Sequence, residues 1–401
     1  MRSTVNVNYI SVGDALKMIN EHSRPLQKKE KIPVSASINR ILSDDIPARR
    51  DIPAFDNSAM DGFLFLTDDL EKEIRTFKIH GEIRPEHTQA KSPEPKTCTR
   101  IMTGAPLPEG RYTVVPVELT EERGGAVTVV EIPERNPVRK QGEGYEKGKT
   151  VLSKNTVIRP YEMGLMIESG NRECSVKKKI RIAIQVTGSE IDEDMNSNGP
   201  VLDGLISRWP GTEVKQWPVL ADDPELVLQR MYELGKSADI VLTTGGISMG
   251  RHDYISGAMK ELGAEVIFRK VQQKPGKPLT VTRLDDTLYF HLPGNPVSAI
   301  FSAEFYVRRA VYSMLGLEFQ TLKAITATGL ENLRGEKTLF VTGKMKPDEQ
   351  NRLAVTSDGV MKSHLLQLYR DHNVYIQLEP ESSYSPGDLV DVIPFSTGLF
   401  L

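Results

Sequence analysis

Three short segments carry the chemistry of this chain: Thr243-Thr-Gly-Gly246, Lys274-Pro-Gly-Lys-Pro278 and Leu292-Pro-Gly-Asn-Pro296. Paired glycines leave backbone N–H groups open to an anion, because no side chain blocks the approach. Lys274 and Lys277 add compact positive charge on a tight turn. Asn295 is placed as a helix N-cap with Pro296 at the first helical position, and such a helix start favours anions through its unpaired N–H groups and its dipole. Each segment alone is an ordinary turn. In this order they describe a cradle for a phosphorylated or otherwise polyanionic small molecule.

The elements that must position them are legible too. Ile240-Val-Leu242 reads as a strand running into the glycines, Thr287–Leu292 as a strand running into Pro-Gly-Asn-Pro, and Ile180–Val186 as a third that ends in Thr187-Gly-Ser-Glu190. Strand, glycine turn and helix recur between about residues 178 and 318, which predicts a parallel sheet flanked by helices. Ligands bind outside the carboxyl ends of such strands, so Glu190, Asp253, Lys274, Lys277 and Asn295 are placed in one pocket. Upstream, Asn57, Ser58 and Asp61 surround Gly62 in a loop read as an Asx-type turn before the strand Phe63–Leu66. Short strands separated by Gly and Pro from about 75 to 145 predict a compact β-rich domain, with a second anion-capable turn in Arg100-Ile-Met-Thr-Gly-Ala-Pro-Leu-Pro108. Beyond Gly316, β-like runs predict a terminal domain of about 80 residues, a small barrel or sandwich. Ser11 is read as the cap of a helix from Val12.

At 401 residues the chain should divide into roughly three or four domains. A net charge of -3 offers no broad footprint for nucleic acid, and the basic run from Lys177 to Arg181 reads as a solvated strand entry. No apolar run is long enough to span a bilayer and no signal-peptide core is present, which predicts a cytoplasmic protein. Cys98 and Cys174 are the only cysteines, so neither a disulfide framework nor a cysteine metal site is expected. The seven histidines show no zinc-type pairing, and His291 reads as a packing residue. Without a Gly-x-x-x-x-Gly-Lys-Ser/Thr segment, ordinary nucleoside triphosphate hydrolysis is disfavoured.

From Ser11 to the C-terminal domain, the chain resembles the MoeA/gephyrin family of molybdopterin molybdenumtransferases. The likeness rests on Asn57-Ser-Ala-Met-Asp-Gly62, Arg100-Ile-Met-Thr-Gly-Ala-Pro106, Thr243-Thr-Gly-Gly246, Lys274-Pro-Gly-Lys-Pro278 and Leu292-Pro-Gly-Asn-Pro296, in that order. The resemblance implies a multidomain α/β and β protein. Residues 1–30 and 146–178 would form an elongated connector, 31–145 a β-rich second domain, 179–320 a three-layer molybdopterin-binding α/β domain and 321–401 a small β-barrel. It also implies a homodimer whose pterin site lies in the α/β domain of one subunit and faces the second domain of its partner.

The implied reaction joins molybdate, or tungstate, to adenylylated molybdopterin with Mg²⁺ as cofactor and AMP as leaving group; contact with the molybdopterin adenylyltransferase is a further implication. Carried over residue by residue, the catalytic set is Asp61, Thr103, Glu190, Asp253, Lys270, Lys274 and Lys277. Thr243, Gly245, Gly246, Ser248, Pro275, Gly276, Pro278, Pro293, Gly294, Asn295, Pro296, Ser298 and Ser363 would hold the pterin and oxyanion. Glu190, Asp222 and Asp253 supply the oxygen ligands that Mg²⁺ prefers. The chain also departs from the family pattern. Gly144 replaces a carboxylate, Arg251 and Tyr112 stand at positions where acids are common, and Thr342 in Phe340-Val-Thr342 replaces an arginine, for which Lys337 substitutes only partly because it lacks the planar fork. Those departures keep open a non-catalytic or altered-specificity pterin-binding paralogue. A nucleotide hydrolase sharing only the α/β domain is the other alternative.

Overall fold

In the computed structural model, residues 9–25, 27–86, 90–189, 191, 193–246, 253–333, 335–359 and 365–398 are described. The chain forms two compact units, Lys31–Ile38 with Leu42–Ser175, and Met1–Glu30 with Asn39–Ile41 and Val176–Leu401.

The first unit is built on a six-stranded sheet ordered Tyr112–Pro116, Gly62–Leu66, Thr97–Ile101, Thr76–Ile83, Ala126–Val129, Thr120–Arg123. Strand Gly62–Leu66 runs antiparallel to both its neighbours. Its all-apolar sequence follows from burial on two faces: Phe63 and Phe65 pack with Phe77, Cys98 and Val115, while Leu64 between them packs with Ile83, Ile101 and Val114. Gly62 is required where it stands, since a Cβ there would meet Val115 O at 2.2 Å. Helix Pro160–Glu168 closes its first turn with Glu162, whose carboxylate takes the Arg159 N–H at 2.9 Å and pairs with its guanidinium.

The second unit contains an α/β sheet ordered Thr212–Leu220, Ile180–Thr187, Ile240–Thr244, Thr287–Leu292, Thr280–Leu284, Glu265–Arg269. The first four strands are parallel, and the last two join by antiparallel pairing. The sheet is therefore mixed rather than wholly parallel: the Asp285–Asp286 turn joins Thr280–Leu284 to Thr287–Leu292 as a hairpin, which needs no crossover helix. Helices Pro224–Ser237 and Tyr254–Glu261 cover one face through Val227, Met231, Leu234, Ala258 and Met259 against Ala183, Val241 and Tyr289. Ile240 and Leu242, pointing the other way, are equally buried, so the central strand has no solvent face. Ser11 does cap helix Val12–His22, accepting Asp14 N–H at 3.0 Å.

Residues from Leu322 onward close a five-stranded barrel in the cycle Thr338–Pro347, Leu353–Thr356, Leu322–Thr326, Leu389–Pro394, Val374–Leu378 and back to Thr338–Pro347. The expected barrel-or-sandwich is thus a barrel. A short strand from the α/β part, Gln273–Lys274, pairs in parallel with Thr338 and Leu339, so the lysine turn sits on the barrel's edge. Among the described residues, no helix is long and apolar enough to cross a membrane.

Candidate active site

The glycine turn after Ile240–Thr244 is shaped by close approach. Gly245 has φ +88°, and a Cβ on it would lie 2.3 Å from Thr187 O, inside contact distance. The turn after Thr287–Leu292 comes up beside it, with the Cβ direction of Gly294 pointing at Gly245 Cα from 3.8 Å. Asn198, the first residue of helix Asn198–Ile206, staples the two: its Nδ2 donates to Gly294 O at 2.8 Å and to Thr244 Oγ1 at 3.3 Å. Its Oδ1 is buried and has no hydrogen-bond partner among the described residues. Sequence reasoning missed this residue. The one local signal was the Asn196-Ser-Asn198 run ahead of an apolar helix, which marks a helix start and says nothing of the two turns.

Thr243 itself faces inward. Its hydroxyl bonds His291 Nδ1 at 3.0 Å, and His291 Nε2 bonds Thr282 Oγ1 at 2.9 Å, a satisfied interior chain across three strands. Burial, with the positive charge of Arg269 adding to it, pulls the His291 pKa down to about 3, which makes it a neutral packing residue as its sequence context predicts.

The lysine turn begins with a cis Lys274–Pro275 bond and passes through Gly276 at φ +80°. Cross-turn bonds from Lys270 N to Leu279 O at 2.9 Å and from Val271 N to Lys277 O at 3.0 Å hold it closed. A cavity of about 260 Å³ lies against it, lined by Gln273, Lys274, Lys277, Ser298, Asn332 and Lys337 among others. Ser298 arrives there from helix Pro296–Ser302, the helix opened by Asn295 and Pro296 just after Gly294. Asn295 occupies the cap position without a side-chain bond to the helix start. Three lysines around one cavity make it a site for negative charge. Lys337, named from sequence only as a partial substitute for a lost arginine, is thus a wall of the same cavity as both turn lysines. Thr342 is enclosed in the barrel, its hydroxyl 2.7 Å from His372 Nδ1.

The carboxylates have defined settings. Asp253 caps helix Tyr254–Glu261 through Oδ1 to Ser256 N–H at 3.0 Å. Asp222 exchanges bonds with Ser189: its Oδ2 accepts the Ser189 N–H at 3.3 Å, and its own N–H goes to Ser189 Oγ at 2.9 Å. Each keeps a carboxylate oxygen outside those bonds, which is hard-donor chemistry suited to Mg²⁺. Among the described residues, no group of three His, Cys, Asp or Glu side chains is close enough to hold a metal. Glu190, Ser248, Ser363 and Arg251 lie outside the described residues.

In the other unit, Asp61 follows the short strand Asn57–Ser58, whose Ser58 N–H bonds Ala105 O at 3.0 Å and whose Ser58 O accepts Gly104 N–H at 2.7 Å. This clasp sets the Asx-type loop at 57–62 beside the anion-capable turn at 100–108 and lets Thr103 bond Asp61 twice, through N–H at 2.7 Å and through its hydroxyl at 2.8 Å. The backbone bond first, then the hydroxyl, hold the Asp61 carboxyl below its ordinary range. Tyr112, at a position where the family tends to carry an acid, bonds Ser92 Oγ at 2.7 Å. Gly144 has little room for a side chain, as a Cβ would stand 3.1 Å from Ile52 O.

Comparison with known proteins agrees with this architecture. Residues 10–170 match the MoeA N-terminal region (domain I and II), and residues 183–312 match a probable molybdopterin binding domain. A molybdopterin molybdenumtransferase of Haemophilus influenzae is 29% identical over 395 residues, spanning 95% of this chain and 97% of its own. One from Staphylococcus aureus is 32% identical over 404 residues, 96% of each chain. The solved molybdopterin biosynthesis moeA protein of Pyrococcus horikoshii has the same fold, with a TM-score of 0.78 at 24% identity over 96% of this chain and 99% of its own. With full-length likeness, both family domains and the closed terminal barrel in place, the chain belongs to the molybdopterin molybdenumtransferases, enzymes of molybdenum cofactor biosynthesis.

Proposed function

We propose that this chain transfers molybdate onto the dithiolene of adenylylated molybdopterin and releases AMP, with Mg²⁺ required and with tungstate as a competing oxyanion. The observation that carries the reading is the continuity from glycine turns to lysine cavity. Gly294 lies against Gly245, and Ser298, one helical turn further along, lines the cavity that Lys274, Lys277 and Lys337 surround. A pterin's anionic tail needs open backbone N–H groups, and an oxyanion beside it needs compensating cations. Asp222 and Asp253, with Glu190, would hold Mg²⁺ through oxygen. When bound, that ion supplies charge neutralisation at the phosphoanhydride. Asp61, fixed by Thr103, is the second-domain group that the family resemblance brings to the site from the partner of a homodimer. The reaction is expected in the cytoplasm, next to the adenylyltransferase that makes its substrate.

The test is a turnover assay with purified protein, adenylylated molybdopterin and either oxyanion, before and after chelation of divalent cations. AMP release that needs both Mg²⁺ and an oxyanion supports the reading. Tight pterin binding without AMP release, across molybdate and tungstate concentrations, would instead make the chain a binding paralogue, a reading that the altered Gly144 and Thr342 positions keep in view.

A further inference from the structure

Tyr9 belongs to the lysine site, although nothing in its sequence context marks it. Its neighbour Ile10 is fastened to the lysine segment: Ile10 pairs with Val271, its N–H bonds Lys270 O at 3.2 Å, and its carbonyl takes the Gln272 N–H at 2.8 Å. That attachment brings the Tyr9 ring to Lys277, whose Nζ lies 4.6 Å from the ring centroid. The same ammonium acts on the phenol, as do the charges of Lys270 and Lys337. Two of those three lysines line the cavity beneath the turn. An aromatic face gives an ammonium a preferred place, which a flexible four-carbon stem does not have by itself.

We infer that Tyr9 is a positioning residue for Lys277, holding its ammonium at the cavity edge so that an incoming tetrahedral oxyanion meets a pre-set charge. The inference rests on the reading that this cavity receives an oxyanion. It has a consequence for pH. The titratable groups facing the phenol are Lys277, Lys270 and Lys337, with Lys274 in the same cavity and Glu336 beside them, the last held by Gln272 Nε2 at 3.4 Å. The Lys277 ammonium first, then the surrounding positive charge, lower the Tyr9 pKa, so the phenol ionises ahead of an ordinary tyrosine. Its phenolate cancels one lysine charge and weakens oxyanion binding.

The experiment is calorimetric titration of the purified protein with molybdate alone, from about pH 7 to about pH 10.5. Wild type should bind, with affinity falling on the alkaline side. Tyr9→Phe should bind about threefold more weakly near neutrality, and its alkaline decline should move to higher pH than in the wild type. Tyr9→Ala, which loses the ring as well, should weaken binding about tenfold. A Tyr9→Phe profile that superimposes on wild type, Tyr9→Ala with wild-type affinity, or a wild type that does not bind molybdate would overturn the inference. AMP release separates the two levels. A protein that shows this pH behaviour without releasing AMP overturns the proposed reaction and leaves the role of Tyr9 standing, and turnover with an unmoved profile does the reverse.

Discussion

Thr103 gives both its backbone N–H and its hydroxyl to one oxygen of Asp61, at 2.7 and 2.8 Å, which fixes the carboxylate's direction and keeps it ionised. The other oxygen takes no part in this clasp. Asp61→Ala is expected to slow AMP release by about 10²-fold or more while changing pterin affinity far less, the signature of a group used in the reaction rather than in binding. Rapid-quench measurement of AMP beside equilibrium pterin binding separates the two. Thr103→Val should move the acid limb of activity upward, because the lost hydroxyl bond lets the Asp61 pKa rise toward its ordinary value.

Asn198 links two glycine turns that belong to different strands. Asn198→Ala leaves Gly294 O and Thr244 Oγ1 without that donor and should cost about 1–3 kcal/mol, read from the urea midpoint. Pterin affinity should fall with it, since the turns lose their mutual register.

Gly245 has no room for a methyl group, with Thr187 O 2.3 Å from the Cβ position and φ at +88°. Gly245→Ala should destabilise the second unit by more than about 2 kcal/mol or displace the turn. Gly257→Ala, where a Cβ meets nothing within 4 Å, is the matched control and should be close to neutral or stabilising in thermal denaturation.

His291 should stay neutral in the folded protein down to a pH of about 3. Its folded pKa lies below the ordinary value of 6.5, so the associated stability is fully present above about 6.5 and is lost as pH falls through that window toward about 3. Imidazole NMR shifts followed against pH check the titration. His291→Phe should flatten that part of the acid stability curve while leaving Thr243 and Thr282 short of a partner.

Much of this arrangement was legible in the chain. Strand ends running into Gly245, Gly294 and the Lys274–Pro278 turn could be read because glycine, proline and apolar runs report backbone demands locally. The mixed character of the sheet was less visible, because Thr280–Leu284 and Thr287–Leu292 are buried strands whose direction depends on a short turn rather than on their composition. Barrel closure was ambiguous for a similar reason: the pairing of Val374–Leu378 with Thr338–Pro347 is a long-range match that no short motif encodes. Asn198 and Tyr9 escaped because their roles are set by neighbours distant in sequence. Lys337 reached the cavity through the pairing of Gln273–Lys274 with Thr338 and Leu339, again invisible in either segment alone.

The most direct measurement is a crystal structure of the protein with adenylylated molybdopterin and molybdate bound. The account predicts the pyrophosphate along the Gly245–Gly246 and Pro293–Pro296 turns, the oxyanion within reach of Lys274, Lys277 and Lys337, and Asp61 facing them from a second subunit. A ligand seated elsewhere, with the lysine cavity open to solvent and empty of any anion, would contradict it.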